Sequence, residues 1–293
     1  MRVLILGSNG QLGTCLEEKF RNYKYEKVYL DKTSLDLTDF LKTRNIIKEI
    51  NPGFIINATA YTAVDKAEEH HHKADLINHL SVKNLSFVAK TLDSCLIHIS
   101  TDYVFNGQKN LPYVESDYPD PQGNYGKSKL RGELAITTSG CRYIIIRTAW
   151  LFSEHGNNFL RTILSLSSKK EHLDIVGDQT GCPTYCKDLA YVISCLPALI
   201  DEESQNKIYH YAGNESCSWF EFAEVILSEL REKDLPFDLP ILNKIKSSEY
   251  PTLAKRPSNS QLNSSLFEET FNLKSSNWRE GVKHSINSLE LNR

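Results

Sequence analysis

The sequence has no apolar run approaching the ~18–20 residues that a membrane-crossing helix needs, which argues against a membrane-embedded protein. Its opening stretch, Met1 to Leu6, is too briefly apolar for a secretory signal and runs straight into glycines. Charge of one sign is also scarce. With 34 basic and 37 acidic side chains the net charge is −3, so a general polyanion binder such as a nucleic-acid protein is not expected, although one local basic pocket is allowed. The seven cysteines are odd in number and scattered, which reads as reduced thiols in a cytoplasmic protein. The one close pair, Cys182 and Cys186, has no second Cys or His pair at zinc-ligand spacing nearby, so no metal site is expected. His70, His71 and His72 are consecutive. On a helix they point ~100° apart and read as a solvated face, not a ligand set. Internal repeats and low-complexity segments are absent.

What is present is an ordinary globular composition, 40% hydrophobic and 24% charged, in a 293-residue chain long enough for two domains at ~150 residues each. Over residues 1–150, short Ile/Val/Leu-rich runs alternate with amphipathic stretches. Residues 3–6, 27–30, 54–57, 96–100 and 143–147 read as strands buried on both faces, and 11–20, 38–49, 64–93 (in two pieces) and 125–136 read as helices. That alternation predicts an α/β fold, a Rossmann-like doubly wound parallel sheet forming a dinucleotide-binding domain. Residues 151–293 read as a smaller, mixed α/β substrate-binding lobe whose later segments can return to the first. It has helices over 158–168, 186–200 and 219–233, the last capped by Ser218, strands over 174–176 and 208–211, a Pro-rich irregular stretch over 234–260, and a terminal helix near 278–289. Trp219, Phe220 and Phe222 read as core.

Gly7-Ser-Asn-Gly10-Gln-Leu-Gly13 joins the first strand to the first helix. A helix N-terminus offers free N–H groups to a phosphate. Gly7 permits the tight turn, Gly10 lets a pyrophosphate approach the backbone, and Gly13 lets helix and strand pack closely. Asp31 ends the second strand about 20 residues on, where an acid can bind ribose hydroxyls and repel a 2′-phosphate. Lys32 follows it, so NADH and NADPH both stay open as cofactor.

Tyr125 and Lys129 stand one helical turn apart, so phenol and ammonium face the same space. A nearby cation favours phenolate, which predicts a lowered Tyr125 pKa and a phenol able to protonate a carbonyl oxygen as hydride reaches its carbon. Tyr23 and Lys27 share the spacing but straddle a strand entrance. Thr101 follows the fourth strand, on the side where open sheets bind ligands, and is expected to hydrogen-bond the same oxygen. The small residues of 57–62 follow another strand and are expected beside the nicotinamide ribose.

These residues resemble the dTDP-4-dehydrorhamnose reductase family of extended short-chain dehydrogenases/reductases. The resemblance rests on Gly7–Gly13, on N-A-T-A-Y-T-A-V-D-K-A-E over 57–68, on S-T-D-Y-V-F over 100–105 and on Tyr125–Lys129. It continues through R-T-A-W over 147–150, G-N-N-F over 156–159, G-D-Q-T-G-C-P-T over 177–184 and R-P-S-N-S over 256–260. It implies that NADPH or NADH reduces a nucleotide-linked 4-keto sugar for cell-surface polysaccharide such as O-antigen. It implies that Gly10, Gln11 and Leu12 line the pyrophosphate, that Asp31 meets the adenosine ribose, and that Asp36 and Leu37 flank adenine. Ala60, Tyr61 and Thr62 would sit by the nicotinamide, completed by Tyr125 and Lys129. Thr101, Asp102 and Trp150 would hold the sugar, and Arg256 the diphosphate. Some members form dimers bridged by magnesium through glutamates. Cys15 and Lys187 stand at those positions, so a homodimer is allowed but a magnesium bridge is not expected. Related folds also serve epimerases and dehydratases, and a non-catalytic regulatory subunit of methionine adenosyltransferase. Dehydratases carry a carboxylate pair where this chain has Asp102-Tyr103, and the intact Thr101, Tyr125 and Lys129 set favours catalysis.

Overall fold

A computed structural model of the chain describes residues 1–233 and 235–289. Its elements run β1 (Arg2–Leu6), α1 (Gln11–Phe20), β2 (Glu26–Leu30), α2 (Phe40–Ile50), β3 (Phe54–Asn57), α3 (Lys66–Glu69), α4 (His71–Asp75), a π-helical turn (Leu76–Leu80) and α5 (Ser81–Thr91). Next come β4 (Cys95–Thr101), α6 (Asn124–Thr137), β5 (Arg142–Thr148), β6 (Leu151–Phe152), α7 (Phe159–Ser167), β7 (His172–Val176), β8 (Thr180–Gly181), β9 (Thr184–Tyr185) and α8 (Cys186–Leu199). The chain continues through β10 (Lys207–His210), β11 (Cys217–Ser218), α9 (Trp219–Arg231), β12 (Ile241–Ile245), α10 (Ser265–Phe271) and α11 (Trp278–Ser288).

Six parallel strands form one sheet in the order β10-β5-β4-β3-β1-β2. Its inner strands bury nearly every residue, as their unbroken apolar runs demand, because helices cover both faces. On one face α1, α8 and α10 pack Leu16, Phe20, Leu189, Ile193 and Phe267 against Val3, Ile5 and Ile97. On the other, α2 and α5 pack Ile47, Leu85 and Val88 against Leu4, Ile55 and Leu96. The strand order turns back on itself between β1 and β3, so a crevice opens beyond their C-terminal ends, the place where such sheets take ligands.

A second apolar cluster gathers α7, β7, α9 and α11 around Phe222, Ile226, Leu227 and Trp278. Ser218 caps α9 with a full capping box through Glu221. Several elements escaped the sequence reading, among them the two-residue strands β6, β8, β9 and β11 and two longer elements. Residues 241–245, expected to be irregular, form β12, parallel to β7. The strand is a ribbon edge with exposed Ile241 and neighbouring Pro240, so it lacks a two-faced apolar signal. The α10 helix is a short segment whose Phe267 and Phe271 pack on the sheet. Residues 64–93, expected in two pieces, come as three helices and a π-helical turn. Among the described residues no helix is long and apolar enough to cross a membrane.

Candidate active site

The glycine loop is shaped by contacts that exclude side chains. Gly7 has φ +82° and lies against Thr59 of the loop after β3. A Cβ on Gly13 would sit 2.1 Å from the Gly7 carbonyl oxygen, so α1 approaches the loop only because residue 13 is glycine. The first bond inside α1 runs from Thr14 N–H to Gly10 O at 2.9 Å, leaving the N–H groups of Gln11, Leu12 and Gly13 at the helix mouth. Gln11 Nε2 is buried without a partner, and its Oε1 accepts from Asn158 at 3.3 Å. Asn158 also caps α7 and holds the carbonyls of Ser153 and His155, tying the 153–158 loop over the glycine turn. This cradle of open N–H groups and an unpartnered amide suits a dinucleotide pyrophosphate.

Asp31 stands at the end of β2. Hydrogen bonds from Ser34 and Thr33 pull its carboxyl down to about 2, so it is anionic at neutral pH. Asp36 is likewise held low by Thr38, whereas Leu37 is buried in the core beneath the loop. Ala60 and Thr62 are exposed in the β3 loop, and Tyr61 packs with Tyr103 and Tyr125. The π-helical turn faces Asn78 inward. Its amide brackets the Tyr61 backbone on both sides and donates to Ser128 of α6.

The α6 helix is seated by two devices. Glu68 accepts from Asn124 backbone and side chain, each at 2.8 Å, fixing the helix start. Gly126 lies so close to the Tyr103 carbonyl that a Cβ there would approach within 2.1 Å, which brings Tyr125 beside Thr101. Tyr125 is 9% exposed and meets Tyr103 edge to face at 5.5 Å. The expected lowering of its pKa is not found. Burial pushes the phenol well above the usual tyrosine range, Asp102 and Tyr103 add to the rise, and only the Thr101 hydroxyl opposes it. Lys129 has no part in that balance, because its Nζ is turned to β4, donating to Ile99 O at 2.6 Å and lying 3.2 Å from His98 Nε2. Burial lowers the Lys129 ammonium to about 8, against an upward pull from Glu133.

Thr101 donates to Asp102 at 2.9 Å and accepts from Tyr103 N–H at 3.2 Å, so the carboxyl and the Tyr125 phenol compete for its one proton. Burial raises Asp102 to about 6, and its Oδ2 is buried without a partner. Arg256 pairs with Asp65 at 3.0 Å, and Asp65 also accepts from Ala254 N–H. The 57–68 and 256–260 motifs are therefore joined in space. Arg256 lies on the wall of a cleft of about 930 Å³, with Phe159, Leu166, Trp219, Tyr250 and Leu253. Trp219 packs on the second apolar cluster as expected, against Phe159 and Phe222, and also lines the cleft, with Trp150, at φ +45°, stacked on it at 3.4 Å. Trp150 also lies against Gly181, where a Cβ would come within 2.4 Å of its ring.

Cys15 is buried in α1. Lys187 opens α8 and pairs with Glu154 and, at 3.2 Å, with Glu18, so an ammonium links α8 to α1. Among the described residues no group of three metal-ligating side chains converges. Asn78, His98 and Ser128 were missed by the sequence reading, and Asn57 was read only as part of the 57–62 segment. For Asn57 and His98 the signal was polarity within otherwise apolar strands.

Doubly wound sheet, glycine cradle and tyrosine–lysine helix together define an NAD(P)H-dependent oxidoreductase. The comparisons with known proteins narrow that class. The chain belongs to the family described as RmlD substrate binding domain, which it matches over residues 1–291. It is 39% identical to a dTDP-4-dehydrorhamnose reductase of Aggregatibacter actinomycetemcomitans, covering 97% of each chain. Its structure is similar to that of a dTDP-4-dehydrorhamnose reductase from Bacillus anthracis in complex with NADP, with a TM-score of 0.90 at 34% identity and 98% and 99% of the two chains covered. It also shares its fold with a Thermus thermophilus UDP-glucose 4-epimerase, at 18% identity and TM-score 0.80, covering 98% of each chain.

Proposed function

We propose that the chain reduces the C4 keto group of dTDP-4-dehydro-6-deoxy-L-mannose to give dTDP-L-rhamnose, a step in making a sugar nucleotide for cell-surface polysaccharide. The observation that carries this reading is the convergence of Tyr125, Thr101 and Asp102 at the C-terminal end of β4, on a helix linked to the glycine loop through Lys129, His98, Asn57 and Thr59. When bound, the nicotinamide supplies hydride. The chain's own groups do the rest. Gly10, Gln11, Leu12 and Gly13 hold the pyrophosphate at the α1 mouth, and Asp31 takes the adenosine ribose. Ala60, Tyr61 and Thr62 border the nicotinamide half.

Tyr125 holds the proton that the sugar O4 gains. Burial keeps the phenol protonated at neutral pH but makes it a weaker acid, so donation calls for a cation brought near it. Thr101 and Asp102 place O4, and the unpartnered Asp102 oxygen is free for a sugar hydroxyl. Lys129 rests against Ile99 O; a turn of its Nζ toward Tyr125 and the cofactor ribose would favour the phenolate left after donation. Arg256, on the cleft wall, suits the diphosphate, and the apolar wall with Trp219 suits the base. Trp150 suits the pyranose. A homodimer is compatible with this site, which the chain builds from its own residues.

The test is to mix the purified protein with dTDP-4-dehydro-6-deoxy-L-mannose and NADPH or NADH. The 340 nm absorbance should fall with formation of dTDP-L-rhamnose. No fall with either cofactor would overturn the reading.

A further inference from the structure

Two polar side chains lie within the most apolar part of the sheet. Asn57, at the end of β3, and His98, in β4, are both fully buried. Asn57 Oδ1 accepts from the backbone N–H of Thr59 at 3.1 Å and from its hydroxyl at 2.6 Å. Two donors on one oxygen fix the amide orientation, so the Asn57 Nδ2 lying 3.0 Å from His98 Nδ1 must be a donor. His98 Nδ1 therefore accepts, and the neutral ring carries its proton on Nε2, the nitrogen 3.2 Å from Lys129 Nζ. Burial and the neighbouring lysine both hold His98 well below the usual histidine range, so the ring is neutral.

An Nε2–H pointed at an ammonium is a donor facing a donor. Pointed at an amine it meets a lone pair, and the amine still donates to Ile99 O. We infer that His98 is a positioning residue for Lys129: fixed as a ring N–H donor by Asn57 and Thr59, it favours the uncharged amine, holds Nζ against β4 and away from Tyr125, and ties the lysine's charge to the loop that borders the nicotinamide. This rests on the functional reading only in what Lys129 does once turned toward the cofactor. The titratable and charged groups around Lys129 are Tyr125 one turn back on α6, Glu133 one turn ahead, Arg147 of β5 holding Glu133, and His98 itself. Glu133 is the one that favours the ammonium, so His98 and Glu133 oppose each other across Nζ.

The direct test is the titration of the Lys129 Cε resonance in cofactor-free protein labelled with 13C at lysine Cε, assigned by Lys129→Arg. His98→Leu removes the ring donor while keeping the site dry. His98→Gln keeps a polar side chain for folding, but its amide is free to turn its oxygen to Nζ. Lys129 should titrate about one pH unit higher in His98→Leu, a tenfold change in the ammonium equilibrium, and at least as high in His98→Gln. The basic limb of kcat/KM, where the ammonium is lost, should move up with it. An unchanged or lowered Lys129 titration in His98→Gln would overturn the inference, as would a uniform rate loss with the limb in place. A raised titration in proteins that turn over no substrate would support it while removing the functional reading.

Discussion

Arg147 and Glu133 form a buried pair whose rupture has a calculable cost. Both side chains are 2% exposed, and the guanidinium grips the carboxylate through two bonds, Nε to Oε1 at 3.0 Å and Nη2 to Oε2 at 2.7 Å. Ser100 also donates to Glu133, and the Arg147 guanidinium lies 5.0 Å over the Phe105 ring. Arg147→Leu leaves a carboxylate in the dry interior with only the serine hydroxyl as a partner. Removing one member of such a pair costs about 3–5 kcal/mol, a large share of the roughly 5–15 kcal/mol that a folded protein holds. Replacing both charges with apolar groups of similar volume removes the stranded charge together with its partner, and such replacements are often neutral. Arg147→Leu/Glu133→Leu should therefore recover about 2 kcal/mol or more of the loss. Urea unfolding followed by tryptophan fluorescence, run on wild type, both single variants and the double variant, completes a double-mutant cycle. Two results would refute the reasoning: Arg147→Leu within about 1 kcal/mol of wild type, or a double variant no more stable than Arg147→Leu. The cycle bears on function as well, because Glu133 is the group that supports the Lys129 charge.

Two further outcomes follow from the site. Tyr125→Phe deletes the proton donor from a ring that packs on Tyr103 and changes little else, so kcat/KM should fall by about 10²–10⁴-fold while NADPH affinity, read by fluorescence, stays within about twofold. A variant keeping more than a tenth of the rate would assign the proton to another group. Asp31→Asn keeps the shape of the β2 end but removes the anion that the proposed function sets against the adenosine ribose, so the ratio of kcat/KM for NADPH over NADH should rise by on the order of tenfold. An unchanged ratio would place the ribose elsewhere.

The parts of this molecule that sequence made legible are those governed by near neighbours. The α1 helix was bounded correctly at Gln11–Phe20 because its start follows a glycine turn and its apolar face repeats within ten residues. Tyr125 and Lys129 could be paired because one helical turn joins them. What was not legible depends on strands meeting far from one another in the chain. The direction of the Tyr125 shift was misread because the i,i+4 rule places Lys129 near the phenol, whereas the lysine reaches 30 residues away to the Ile99 carbonyl and burial then dominates the phenol. Trp219 was read as core from its helical pattern and does pack on the second cluster, but that it also lines the cleft, with Trp150 arriving from the end of β5 to stack on it, was not legible. The strand β12 was hidden because three of its five residues are exposed and none is fully buried.

Yet the sequence does carry a signal for the buried network. A strand covered on both faces tolerates polar side chains poorly, since each must find partners without water. F-I-I-N and C-L-I-H-I-S are such strands, and Asn57 and His98 are their anomalies. An amide and an imidazole at neighbouring sheet positions (Asn57 opposite His98 in the β3–β4 register) can satisfy each other. The second imidazole nitrogen then needs a partner from the helix above, and of the three basic side chains α6 carries between Tyr125 and Glu133, Lys127 and Arg131 are exposed and Lys129 is the buried one. Polar residues in a doubly covered sheet thus pointed to the lysine's resting place, which helical spacing alone could not.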